Sequence, residues 1–120
     1  MMGGDGRITV LIVDDERTFG EALQLALSHE DDLAILAVET DGAHAIAAAT
    51  ERVPDVVIMD VSMPGMSGIE ATRRIKEGRP ETRVVILSGH DDEHLLARAV
   101  QAGAAGLLRK TEAIANVADR

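Results

Sequence analysis

Short, continuously apolar stretches alternate with amphipathic ones along the whole chain. Thr9–Val13 (TVLIV), Leu33–Val38 (LAILAV), Val56–Met59 (VVIM), Val84–Leu87 (VVIL) and Gly106–Leu108 (GLL) are brief and mostly branched. Strands buried on both faces read this way, so the pattern predicts a parallel sheet. Between them, Phe19, Ala22, Leu23 and Ala26 recur at i, i+3, i+4 and i+7, which predicts a helix over Arg17–Ser28 with that stripe inward. An Ala-rich helix over Ala43–Thr50 follows Asp41-Gly42. A third begins at the capping box Ser67-Gly68-Ile69-Glu70 and runs to Glu77, before Gly78. A fourth covers Asp92–Ala102, with Asp91 as N-cap and Gly103 as the stop, and a fifth runs from Glu112 to Val117.

Five strand–helix units without an internal linker predict a doubly wound α/β fold. In so small a domain the expected form is the flavodoxin-like five-stranded parallel sheet, order 2-1-3-4-5, with five helices. Spacing alone also admits another small α/β arrangement. The chain's 120 residues fit one domain, with 1–6 read as a flexible, Gly-rich start and 7–120 as the domain itself.

Composition narrows the function. Phe19 is the only aromatic residue, so the core must be built from aliphatic residues and many alanines, which let helices approach the sheet closely. With no cysteine, disulfides and thiol chemistry are excluded. The apolar runs are too short to span a bilayer and no signal peptide is visible, so a cytoplasmic protein without membrane contact is expected. The net charge of −9 repels phosphate backbones, and no nucleic acid should bind through this domain itself.

In an open α/β sheet, ligands bind beyond the carboxyl ends of the strands where strand order reverses, here between strands 1 and 3. Strand 1 ends in Asp14-Asp15, strand 3 in Asp60 and strand 4 in Ser88, and strand 5 leads through Arg109 into Lys110. Strand 2 ends at Glu39-Thr40, on the edge. Taken singly these are ordinary features: Asp-Asp as a turn or cap, Asp60 as turn chemistry before a Pro/Gly loop, Ser88-Gly89 as loop, Lys110 as a solvated lysine. Together they put three acids, a hydroxyl and an ammonium at one rim, from four separate strands.

Three carboxylates so placed repel, a pair at about 4 Å by about 4 kcal/mol at an effective dielectric of 20. Either some of them stay protonated or a cation holds them, and Mg²⁺ suits oxygen ligands shared with water and phosphate. An aspartate kept ionised there can attack phosphorus, while Lys110 and Ser88 supply charge and a donor. In the following loop, Pro64 stiffens the turn, and Gly65 and Gly68 permit tight or left-handed backbone.

Val13-Asp14-Asp15-Glu16, Asp60 followed by Met63-Pro64-Gly65 and Gly68, Leu87-Ser88-Gly89, and Gly103-Ala104-Ala105-Gly106 leading to Lys110 resemble, in that order, the receiver domains of two-component response regulators. The similarity spans Arg7 to Val117 and is nearest to receivers that precede a helix-turn-helix effector in NarL/FixJ-type regulators. The resemblance implies a phosphorylation switch that modifies only itself. Asp60 would take a phosphoryl group from a sensor histidine kinase. Asp15 and Asp60 would ligate Mg²⁺ by side chain, Ser62 by its carbonyl and Asp14 through water. Ser88 and Lys110 would hold the phosphoryl group, and a homodimer could form through helix 4, strand 5 and helix 5. Ser62 and His90 stand where the family tunes phosphate lifetime, though His90 also reads as a surface histidine.

The family usually carries Tyr or Phe where this chain has Leu107. That implies weaker or differently routed output through helix 4 and strand 5. The short last helix suggests that an effector domain is absent from this chain. Two rivals stay open. An aspartate-nucleophile phosphatase would need a D-x-D motif after strand 1, which Asp14-Asp15-Glu16-Arg17 lacks. A receiver-like module that no longer signals by phosphate is the other, favoured only by Leu107.

Overall fold

A computed structural model describes residues 6–89 and 93–113. Five strands, β1 (Ile8–Val13), β2 (Leu33–Glu39), β3 (Val56–Asp60), β4 (Arg83–Ser88) and β5 (Gly106–Arg109), pair in parallel in the order β2-β1-β3-β4-β5. They alternate with α1 (Arg17–Ser28), α2 (Gly42–Arg52), α3 (Gly68–Gly78) and α4 (Glu93–Gln101). Residues 110–113 open the fifth helix, earlier than the expected Glu112. Its continuation to Val117, the Asp91 cap, Asp92 and His90 lie outside the described residues.

The side-chain alternation of each strand splits the interior into two half-cores, one on each face of the sheet. Leu11, Val13, Val57, Met59, Val84 and Ile86 face α2, α3 and α4, where Ala45, Ala48, Ala49, Ala71 and Ala99 let the helices sit close. Val10, Ile12 and Leu87 face α1 through Leu23 and Leu27. Each fully buried Val, Leu or Ile contributes about 1.5–3 kcal/mol, and Leu11, Ile12, Val13 and Val84 are all at 0% exposure. Burial on both faces therefore holds for the C-terminal part of β1 and of β4, whereas β3 is buried on the α2–α3 face and half-buried on the other. It does not hold for the edges: β2 is only half-buried throughout and β5 ends exposed.

The inward stripe of α1 also differs from the expected one. Gly20, Leu23 and Leu27 are buried, whereas Ala22 is exposed and Phe19 and Ala26 are half-buried. Gly20 explains the rotation, since a Cβ there would meet Val38 at 2.8 Å, so the helix crosses the β1–β2 edge at its glycine. In β2 the register skips Leu36, whose freed carbonyl accepts a hydrogen bond from Arg52.

Caps fix where helices begin beside the strand ends. Asp41 accepts from the His44 N–H at the start of α2, and Ser67 accepts from the Glu70 N–H at the start of α3. Only that half of the capping box forms, because the Glu70 carboxylate turns outward to Arg73 and Arg74. Gly65 (φ 79°) and Gly103 (φ 101°) take the left-handed backbone, the latter ending α4 as expected. Gly68 is needed for space instead: a Cβ there would lie 2.0 Å from the Asp60 carbonyl oxygen, and its N–H donates to Val61 O at 2.9 Å.

Gly68→Ala should therefore destabilise the fold by at least about 2 kcal/mol, as overpacking against backbone cannot be relieved by a rotamer change. Gly78→Ala, with nothing within 4 Å of the added methyl, should be neutral or stabilising by up to about 1 kcal/mol. Urea unfolding of the two variants compares the effects directly.

Candidate functional site

The strand ladder sets the site's geometry. Val13 pairs with Met59, so the next residues, Asp14 and Asp60, leave β1 and β3 at one level. Asp60 in turn pairs with Leu87, and Ser88 with Arg109, one step before Lys110. Four strand ends thus deliver acid, acid, hydroxyl and ammonium to one rim.

Asp14, Asp15 and Asp60 each offer a carboxylate oxygen, all within 4.8 Å of one another. Asp14 and Asp60 are almost fully buried, at 0% and 2% exposure, while Asp15 faces solvent. Asp14 Oδ1 accepts the Glu16 N–H at 2.8 Å, and Asp60 Oδ1 accepts the Ser62 N–H at 3.4 Å. The other oxygen of each, Asp14 Oδ2 and Asp60 Oδ2, is buried without a hydrogen bond. Buried anionic oxygens are left that way at a high cost unless a cation or proton completes them. This donor set, a buried Asp60 oxygen without a partner, a buried Asp14 oxygen met only by the Lys110 ammonium, and an exposed third carboxylate, fits a small hard cation.

Lys110 reaches the cluster from the far side. Its Nζ lies 3.0 Å from Asp14 Oδ2, 3.0 Å from Glu16 Oε1 and 3.5 Å from Asp60 Oδ1. The Asp14 approach has ion-pair distance but not hydrogen-bond direction, so the directed bond goes to Glu16. Burial works against the Lys110 charge, but Glu16, Asp14 and Asp60 more than offset it and hold the ammonium above its ordinary range. One ammonium cannot satisfy three acids. Burial, followed by a hydrogen bond with Asp15 and the charge of Asp14, pushes the Asp60 carboxyl up to about 7, against the opposing pull of Lys110 and the Ser62 N–H.

A cleft of about 230 Å³ opens over Asp60, lined by Asp15, Glu16, Ser62, Gly89 and Lys110. A second, of about 380 Å³, lies beside it between the Val61–Ser67 loop and α4. Ser62 lines both, and Ser88, fully buried, lines the second. Of the residues singled out from sequence, Asp14, Asp15, Asp60, Ser62 and Lys110 gather at this rim and Ser88 lines the adjoining cleft, while His90 lies outside the described residues. Glu16 and Phe19 were not singled out as site residues, yet Glu16 bonds Lys110 and the Phe19 ring centroid lies 4.8 Å from Nζ. Their sequence signal was slight: they are the second and fifth residues after Asp14, one just before α1 and the other in its first turn.

An acid whose folded value sits above its unfolded value near 3.8 keeps a proton that the unfolded chain releases, so its ionisation costs stability as pH rises from about 4 to about 7. In chelator-treated protein, Asp60→Asn should then raise the thermal midpoint at pH 8 by about 4–8 °C, equivalent to about 1 kcal/mol. The gain should shrink to nothing near pH 4, as differential scanning calorimetry across pH will read.

Comparison with known proteins agrees with this geometry. Residues 10–120 match the response regulator receiver domain family. Among curated relatives, the transcriptional regulatory protein DegU of Brevibacillus brevis is 35% identical over 106 residues, covering 88% of this chain and 45% of the relative. The transcriptional regulatory protein YdfI of Bacillus subtilis is 39% identical over 101 residues, covering 84% and 47%. The chain thus spans about half the length of these relatives. Of solved structures, the signal receiver domain of NarL from Mycobacterium tuberculosis superposes with a TM-score of 0.84 at 33% identity, covering 94% of each chain. A LuxR-family two-component response regulator from Aurantimonas gives a TM-score of 0.87 at 29% identity, covering 94% of this chain and 81% of that one. Strand order, the acidic rim and the match over residues 10–120 lead to one conclusion: the chain belongs to the response regulator receiver domain family.

Proposed function

We propose that the chain is a phosphorylation switch in which Asp60 accepts a phosphoryl group in a Mg²⁺-dependent reaction. The observation that carries this reading is the crowding of three carboxylates, two of them buried, against a single lysine. Asp15 and Asp60 would hold Mg²⁺ by side chain, Ser62 by its carbonyl and Asp14 through water. Bound there, the ion supplies positive charge that keeps Asp60 ionised and neutralises the transferred group.

The remaining work falls to the chain's own residues. An Asp60 oxygen forms the new O–P bond as the bond from phosphorus to the donor breaks, a phosphohistidine nitrogen in the case of a sensor histidine kinase. Lys110 takes one phosphoryl oxygen and the Ser88 hydroxyl donates to another. The transfer needs positioning and charge more than covalent help from the protein. On this reading the domain modifies only itself and acts on no separate substrate.

The phosphoryl group adds up to about two negative charges. Drawing Ser88 and Lys110 towards them would shift α4 and β5, whose outer faces carry the exposed Leu96, Val100 and Leu108. This surface would serve a homodimer through α4, β5 and the fifth helix. Leu107 is half-buried against the α2–α4 half-core, so output runs through aliphatic packing and not through a swinging ring. The relatives are transcriptional regulators about twice as long as this chain, which supports control of a DNA-binding effector domain by residues 7–120 in the cytoplasm. Among the described residues no helix is long and apolar enough to cross a membrane.

Incubation with Mg²⁺ and acetyl phosphate, followed by intact mass, tests the reading. A single phosphate adduct is expected, absent from Asp60→Asn and formed at least about tenfold more slowly in Lys110→Ala, which loses one transition-state charge contact. Turnover of many small phosphate esters would instead mark a phosphatase, and an unmodified wild type a module that does not signal by phosphate.

A further inference from the structure

Lys110 stands in the site with its best hydrogen bond committed elsewhere. That bond goes to Glu16 Oε1 at 3.0 Å, while Asp60 Oδ1 is 3.5 Å away. Glu16 is not one of the three clustered acids; it sits on the rim of the same cleft with its side chain 68% exposed. Its backbone is fixed by Asp14 Oδ1, so the cluster itself sets where Glu16 can reach. Three residues on, in the first turn of α1, Phe19 lays its ring 4.8 Å from the Lys110 ammonium. The chain's only aromatic side chain is placed against its site lysine.

We propose that Glu16 and Phe19 hold Lys110 in a waiting position, with Glu16 the carboxylate that an incoming phosphoryl group must displace. The inference rests on the reading of Asp60 as phosphoacceptor. Of the acids touching Lys110, only Glu16 can be released at little cost. Asp14 is at 0% exposure and would be left a buried, unpaired anion, whereas an exposed carboxylate simply rehydrates. The exchange is anion for anion: Lys110 leaves a single charge for a phosphoryl group bearing up to about two. Phe19 plays the opposite part. An aromatic face attracts the ammonium without carrying charge or accepting its directed bond, so it steadies Lys110 over the site without competing for it. Glu16 therefore slows capture of the phosphoryl group and Phe19 assists it.

Opposite signs make the pair testable. With Mg²⁺ and acetyl phosphate, the initial rate of adduct formation by intact mass should rise about 2- to 5-fold in Glu16→Gln, the range set by an exposed ion pair. It should fall about 2- to 5-fold in Phe19→Leu, the range of a partly exposed cation–π contact. The Glu16→Gln gain should shrink in about 1 M salt, where screening weakens the exposed Glu16–Lys110 pair along with repulsion of the anionic donor. Nuclear magnetic resonance of the donor-free protein should show a Lys110 ammonium signal sheltered from water exchange in wild type and exchanging faster in Glu16→Ala, which keeps no acceptor. A Glu16→Gln rate no higher than wild type, a Phe19→Leu rate no lower, or an unchanged ammonium signal overturns the proposal. Those results with a normal wild-type adduct leave Asp60 as phosphoacceptor intact. A wild type that forms no adduct overturns both.

Discussion

Mutual repulsion among Asp14, Asp15 and Asp60 is the constraint around which the rest of the structure is arranged. Two of the three are buried, and one lysine, 15% exposed, cannot neutralise them all. The fold tolerates this because the strands that carry the acids are anchored by deeply buried residues just before the charges. Leu11 to Val13, Val57 and Met59 anchor β1 and β3 immediately before the charges, with about 1.5–3 kcal/mol from each fully buried aliphatic side chain. A rim held this firmly keeps repelling groups together that a looser frame would let separate.

The same rigidity explains the division of labour across the molecule. The central strands fix the acids, the Gly68 approach fixes the backbone behind Asp60, and the Ser67 cap fixes the start of α3. The elements left to respond are at the other end of the sheet. β5 is an edge strand with its outer half exposed, and α4 buries only Leu95 and Ala99 while Leu96 and Val100 face outward. Around Asp60 the β1 side is closely packed and the β5 side lightly packed.

Much of this was legible in the residues because strong, local signals agreed. Branched apolar runs marked the strands, Gly103 marked the end of α4, and the groups at the strand ends followed from strand order without side-chain detail. What escaped was information held between elements. The α1 stripe is turned by the Gly20–Val38 approach, the register skip at Leu36 depends on Arg52, and half of the capping box is lost to Arg73 and Arg74. Edge strands look like central ones in sequence, since both are apolar; only pairing partners distinguish β2 from β1. Glu16 and Phe19 were hidden for the same reason: their partner is Lys110, at the other end of the chain, and no spacing rule links them.

If the clustered carboxylates hold a cation as proposed, the Asp60 proton would have to leave before the ion binds. The dissociation constant for Mg²⁺, followed by calorimetry from pH 5 to pH 8.5, tests it most directly. Affinity should climb towards tenfold per pH unit below the Asp60 value of about 7 and level off above it, and should collapse in Asp14→Asn. Affinity independent of pH, or unchanged by loss of the Asp14 charge, would contradict the account.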